Sequence, residues 1–179
     1  LGSAISQEIG GIKGSQNLAL VGSTGSAIAL TVGGNNQSTT YSGVLSGSGS
    51  LKKVGTGTLA LAGANTYTGG TTITEGKIQL DNANALQNSA VEVGTDYGLT
   101  FAPGIGTFTL GSLGGTKNLD LTDGSGNAIQ LQVGGKNNST NYQGIISGNG
   151  SINKVGTGSL MLWHSYSGTS NTYSGGTTL

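Results

Sequence analysis

The sequence has no cysteine, no arginine, one proline and one histidine in 179 residues, and only 8% of it is charged. Without cysteine there is no disulfide, no thiolate nucleophile and no Cys-based zinc site, so the fold stands without covalent or metal staples. Seven lysines balance seven acids. Zero net charge and the lack of any guanidinium argue against a nucleic-acid partner or an anionic membrane surface, because both need a basic field. The lone His164 excludes a two-histidine metal site. No run approaches the roughly 20 apolar residues of a membrane helix, so this segment is not expected to insert into a bilayer. Its start, Leu1-Gly2-Ser3, is neither an initiator Met nor a charged-then-apolar leader, and the chain reads as a piece of a longer one.

What is abundant is glycine, at 36 residues, followed by Ser, Thr and Asn. Gly costs about 1 kcal/mol relative to Ala inside a helix, and Ser, Thr and Asn compete for backbone hydrogen bonds, so long helices are excluded. The same composition would suit a flexible linker, but its arrangement does not. Short runs alternate apolar with small polar residues, as in Ala27-Ile28-Ala29-Leu30-Thr31-Val32, Thr58-Leu59-Ala60-Leu61 and Lys77-Ile78-Gln79-Leu80. Period two means strands with one face turned inward. Between them lie Gly-Gly, Asn-Asn and Gly-Ser-Gly, which supply the backbone freedom of tight turns.

The chain also repeats itself. The stretch from Val32 to Leu61 and the stretch from Val133 to Leu162 align without a gap and are identical at most positions. The internal repeat covers residues 10–73 and, incompletely, 111–179. Serial copies of strands must stack, each burying its apolar face against its neighbours. With aromatics at 5% and so long a period, a propeller fits poorly. The expectation is an all-β, right-handed parallel β-helix of about 20 residues per coil and about eight or nine coils, a single segment over 1–179. At ~4.8 Å per coil the rod would be about 40 Å long.

The stretch from Lys53 to Leu80, KVGTGTLALAGANTYTGGTTITEGKIQL, resembles the passenger-associated strand repeat of bacterial autotransporters, and Lys154 to Leu179 resembles a second, truncated instance. The resemblance implies a parallel β-helix, exported and displayed at the bacterial cell surface as a structural stalk or spacer. In the Asn-Thr-Tyr-Thr/Ser-Gly-Gly motif, Asn65 and Asn171 are expected at a corner, where an amide can bond backbone of the coils above and below. Tyr67 and Tyr173 are read as covering the turn, and Gly69, Gly70, Gly175 and Gly176 as reversing the chain. Lys53 and Lys154 are read as solvated coil-edge residues that discourage unwanted pairing.

No catalytic residue, metal ligand or cofactor site is assigned. The acids that lie close in sequence, Glu75 and Asp81, Glu92 and Asp96, Asp120 and Asp123, do not stand two apart on a strand, where both would point one way. Asp120 and Asp123 correspond to Ala19 and Gly22 in the first copy, so the scaffold does not require them. One place departs from the repeat: a short insertion precedes Asn171, beside Trp163, His164 and Tyr166. Loops on a regular scaffold are where binding is usually placed. The alternatives are a patch for glycan or a host protein and a longer turn whose Trp163 caps the core. Open coil ends, with unpaired strand edges, would favour self-association end to end.

Overall fold

The computed structural model describes residues 5–163 and 170–179. Among the described residues every regular element is a strand, and all the pairings between strands are parallel. They stack into a β-helix of about eight turns of about 21 residues each, as the alternation and the Gly-rich turns anticipate.

Three faces share the turns. Face one stacks β1 (Ile5–Ile9), β3 (Ile28–Val32), β6 (Ser50–Lys53), β8 (Thr71–Ile73) and the C-terminal parts of β10 (Leu86–Val93) and β12 (Thr107–Gly115). It continues into β15 (Thr140–Tyr142) and β18 (Leu160–Leu162). Face two stacks β4 (Thr39–Tyr41), β7 (Thr58–Leu61), β9 (Lys77–Leu80) and β11 (Leu99–Phe101), followed by β13 (Leu119–Asp120) and β16 (Ile146–Ser147). Face three begins with β2 (Leu18–Ala19) and β5 (Leu45–Ser46) and passes through the first residues of β10 and β12. It ends on β14 (Gln130–Val133), β17 (Ser151–Lys154) and β19 (Thr177–Thr178).

Period two does the sorting. In β9, Ile78 and Leu80 are buried while Lys77 and Gln79 face outward; β7 and β11 place Leu59, Leu61, Leu99 and Phe101 on the same inner side. These side chains join one continuous core that runs from Ile12 to Ile152. Burial of each large aliphatic contributes roughly 1.5–3 kcal/mol before the entropy of ordering is subtracted. Phe101 and Phe108 fill the middle of the core, with ring centroids 4.9 Å apart.

The inward column of face one runs Val32, Lys53, Ile73, Val93, Gly115, Tyr142, Leu162. In the repeat, Tyr142 and Leu162 are the counterparts of Tyr41 and Leu61, which pair on face two. The counterparts of Val32 and Lys53 are Val133 and Lys154, which pair on face three. Every segment of the second copy is therefore displaced by one face from its first-copy equivalent. The reason is arithmetic: four turns separate Val32 from Gly115, and Val133 falls two thirds of the way along the next step, from Gly115 to Tyr142. The repeat period is thus four turns and two faces, and the same sequence presents its outer side in a new direction.

Candidate functional site

The corners carry the polar chemistry of the fold. Asn65 is buried; its Oδ1 accepts the Leu45 N–H at 2.8 Å, and its Nδ2 donates to the Ala85 carbonyl at 3.0 Å. One amide thereby links three successive turns. Asn171 Oδ1 accepts the Ile146 N–H at 2.8 Å in the second copy. A parallel device stands at the next corner, where Asn36 and Asn137, both with positive φ, accept the N–H of Thr56 and Thr157 at 2.9 Å.

Tyr67 lies inside the core rather than over the turn's surface. Its hydroxyl bonds Thr71 Oγ1, which meets Ser89 Oγ at 2.7 Å, and Ser89 donates to the Gly69 carbonyl at 2.8 Å. Burial pushes the Tyr67 phenol up to about 12, against a smaller opposing effect of these hydroxyls. The half-buried Tyr173 bonds Thr177 Oγ1 at 2.5 Å. Gly69 is required by close approach: a Cβ there would lie 2.1 Å from the Gly49 carbonyl oxygen. A Cβ at Gly70 would have its nearest such neighbour at 3.4 Å, whereas one at Gly175 would lie 2.5 Å from Gly150 O, and Gly176 has φ +76°.

Lys53 corrects its expectation. It is 1% exposed, in the inward phase set by Leu51, and its Nζ donates to the carbonyls of Val54 and Gly55 at 2.7 Å. Burial lowers its pKa, partly offset by Glu75. The ammonium is an internal clamp on its own Lys-Val-Gly corner, not a solvated edge charge. Lys154 repeats the contact to Val155 O at 2.6 Å but is only part-buried.

Reading by motif also misses Tyr41 and Tyr142, which hold equivalent places in the two copies. Their hydroxyls donate to the carbonyls of Gln16, at 2.5 Å, and Lys117. Burial raises both phenols, and for Tyr142 the charges of Asp96 and Glu92 add to it. Retention of Tyr at the same place in both copies is the available signal. Lys136 is missed too: its Nζ reaches Thr68 O at 2.8 Å and Asn88 O at 3.3 Å.

The acids are spread along the rod, and three of them, Glu75, Asp96 and Asp123, tie backbone. Glu75 accepts the Gly55 N–H at 3.2 Å, Asp96 that of Asn118 at 2.9 Å, and Asp81 the Gln79 amide at 2.7 Å. Asp123 closes the hairpin after β13, accepting from Ser125 N and Asn127 N at 2.9 Å. The Asn127 N–H, the largest cause, holds its carboxyl below the ordinary value. Among the described residues no group of three His, Asp or Glu is placed to hold a metal. Of the inserted turn, Trp163 is 52% exposed, with its N–H on Tyr142 O at 3.1 Å; His164 and Tyr166 lie outside the described residues.

The passenger-associated-transport-repeat family model matches residues 51–80 and 152–179. Over 165 residues, 92% of its length, the chain is 32% identical to the adhesin BmaC autotransporter of Brucella suis, of which it spans about 5%. No solved structure matches it. The matched stretches begin at the buried lysine corner and run through the asparagine ladder to the strand that follows. Together these place the chain: it is a β-helix that carries the passenger-associated transport repeat of autotransporters twice.

Proposed function

We propose that this segment is a rigid spacer in the surface-displayed, extracellular passenger of an autotransporter-like protein, extending reach rather than performing catalysis. The observation that carries the reading is the unbroken stack of turns in which, among the described residues, no buried side-chain nitrogen or oxygen is left without a partner. A shaft with satisfied corners resists bending and offers each added turn the same seat. Kinship in sequence with an adhesin autotransporter supports the surface setting. The test is to insert tandem copies of residues 10–110 into the full-length passenger and image its projection from the cell. Each copy should add about 22 Å, from four turns and two faces at ~4.8 Å per turn. Display without lengthening overturns the spacer.

A second reading rests on the inserted turn. Trp163 and Met161 are 52% and 58% exposed, side by side at one end of face one, where they could contact a glycan or a host protein. Loss of cell binding by Trp163→Ala at unchanged thermal stability would support it; retention would remove it. A further proposal is self-association of the isolated segment, whose end coils would present unpaired strand edges to one another. In the isolated segment, light scattering should show mass rising with concentration, and a constant monomer would contradict it.

A further inference from the structure

We propose that the outer side of face two, where the two repeat copies meet, is a binding site for a hydroxyl-rich, uncharged saccharide. The displacement of the second copy by one face brings its first strand, β13, to the end of the first copy's sheet β4-β7-β9-β11. The hairpin beyond β13, closed by the bridge between Thr122 and Ala128, then stands beside β11, with Gly124 N on Phe101 O at 3.0 Å. Together with Tyr97, on the turn before β11, it bounds a cleft of about 350 Å³. Its polar lining includes Lys77, Gln79, Thr100, Asp120, Thr122 and Asp123.

Tyr97 is the unusual residue. It is 46% exposed and has φ +54°, in the left-handed region that L side chains other than Asn and Asp rarely occupy. The other two such residues among those described are both Asn, and both use their side chains to bond the next turn. Tyr97 does not: its ring adds nothing to the core, while its N–H donates to Asn118 O at 2.8 Å and holds the conformation. Strain that displays an aromatic ring over a polar floor is the kind retained for binding.

Composition of the cleft selects the ligand. One ammonium, Lys77, faces two carboxylates, Asp120 and Asp123, which disfavours polyanions, and the hydroxyls and amide disfavour a wholly apolar guest. A sugar presents a C–H face for the ring and adjacent hydroxyl pairs for an amide and a carboxylate. The polar groups are already oriented: Asp120 accepts from Thr122 Oγ1 at 2.6 Å and Ser147 Oγ at 3.1 Å, and the Gln79 amide is held by its bond to Asp81 at 2.7 Å. Such orientation lowers the entropy lost on binding. The scaffold did not demand these residues, since Ala19 and Val21 occupy the places of Asp120 and Thr122 in the first copy.

The inference stands apart from the spacer, which would survive its failure. The test is saturation-transfer NMR of the whole chain with lactose, cellobiose, maltotriose and chitotriose, mapped by amide and ring shifts. At least one should bind with shifts centred on Tyr97. Tyr97→Asn keeps a left-handed backbone and removes the ring, so it should weaken that binding about tenfold or more, as should Gln79→Ala, while Trp163→Ala leaves it unchanged. Absence of binding by all four sugars, binding that survives Tyr97→Asn and Gln79→Ala, or binding lost on Trp163→Ala alone overturns it.

Discussion

Replacing Asn65 by Ala tests the corner ladder where its geometry is most complete. The amide satisfies a buried N–H in the turn below, on Leu45, and a buried carbonyl in the turn above, on Ala85. Ala offers neither partner, and with Asn65 only 2% exposed the vacated space lies away from bulk solvent. An unsatisfied buried backbone group costs about 1–3 kcal/mol, so the two together should cost about 2–6 kcal/mol. Asn171, half-buried and with one side-chain bond, to Ile146 N, among the described residues, should cost about 1 kcal/mol when replaced in the same way. Urea titration of both variants gives the difference, and hydrogen exchange at the Leu45 amide gives its location. Asn65→Ala should lose protection at Leu45 before distant strands are affected. Equal losses for the two variants, or an unchanged Leu45 amide, would refute the ladder as a source of stability.

Tyr67 should make the rod sensitive to alkali. Its folded pKa is raised from 10.0 to about 12, so its contribution is complete below about pH 10 and is lost as pH climbs toward 12. Two pH units correspond to about 3 kcal/mol, and Tyr67→Phe should flatten the fall of urea stability over that window; an unchanged slope would contradict this. Gly69→Ala should destabilise by about 3 kcal/mol or more, because its Cβ would meet the Gly49 carbonyl oxygen at 2.1 Å, whereas Gly70→Ala, at 3.4 Å from Ala90 O, should cost under about 1 kcal/mol in the same titration. Lys136→Met keeps the stem but removes the two bonds to Thr68 O and Asn88 O; the loss, about 1 kcal/mol, should appear in denaturant midpoints, and no change would show the strap to be ornamental.

The fold is legible because its signal is short-range. Leu59 and Leu61, or Ile78 and Leu80, announce an inward face by spacing alone, and Asn65 announces a corner by its place before a Gly-Gly turn. Lys53 is misread from sequence because its charge outweighs its phase: it stands two positions after Leu51, and the inward side it shares offers backbone carbonyls at its tip. The displacement of the copies is hidden for a different reason. Steps between turns vary in length, the one from Leu18 to Leu45 being nearly half as long again as the one from Leu59 to Ile78, and only their sum decides which face a repeat lands on. The cleft follows from that sum. Lys77, Tyr97 and Asp120 come from three successive turns, and no local pattern joins them.

The central claim is the parallel winding with the second copy turned by one face, and strand contacts at the copy boundary test it most directly. In a protonated, nitrogen-15-labelled sample, amide-to-amide and amide-to-Hα cross-peaks should join Gly115 to Tyr142 and Leu110 to Val133 in a parallel pattern. Cross-peaks joining Gly115 to Val133 instead, or an antiparallel pattern at either pair, would contradict it.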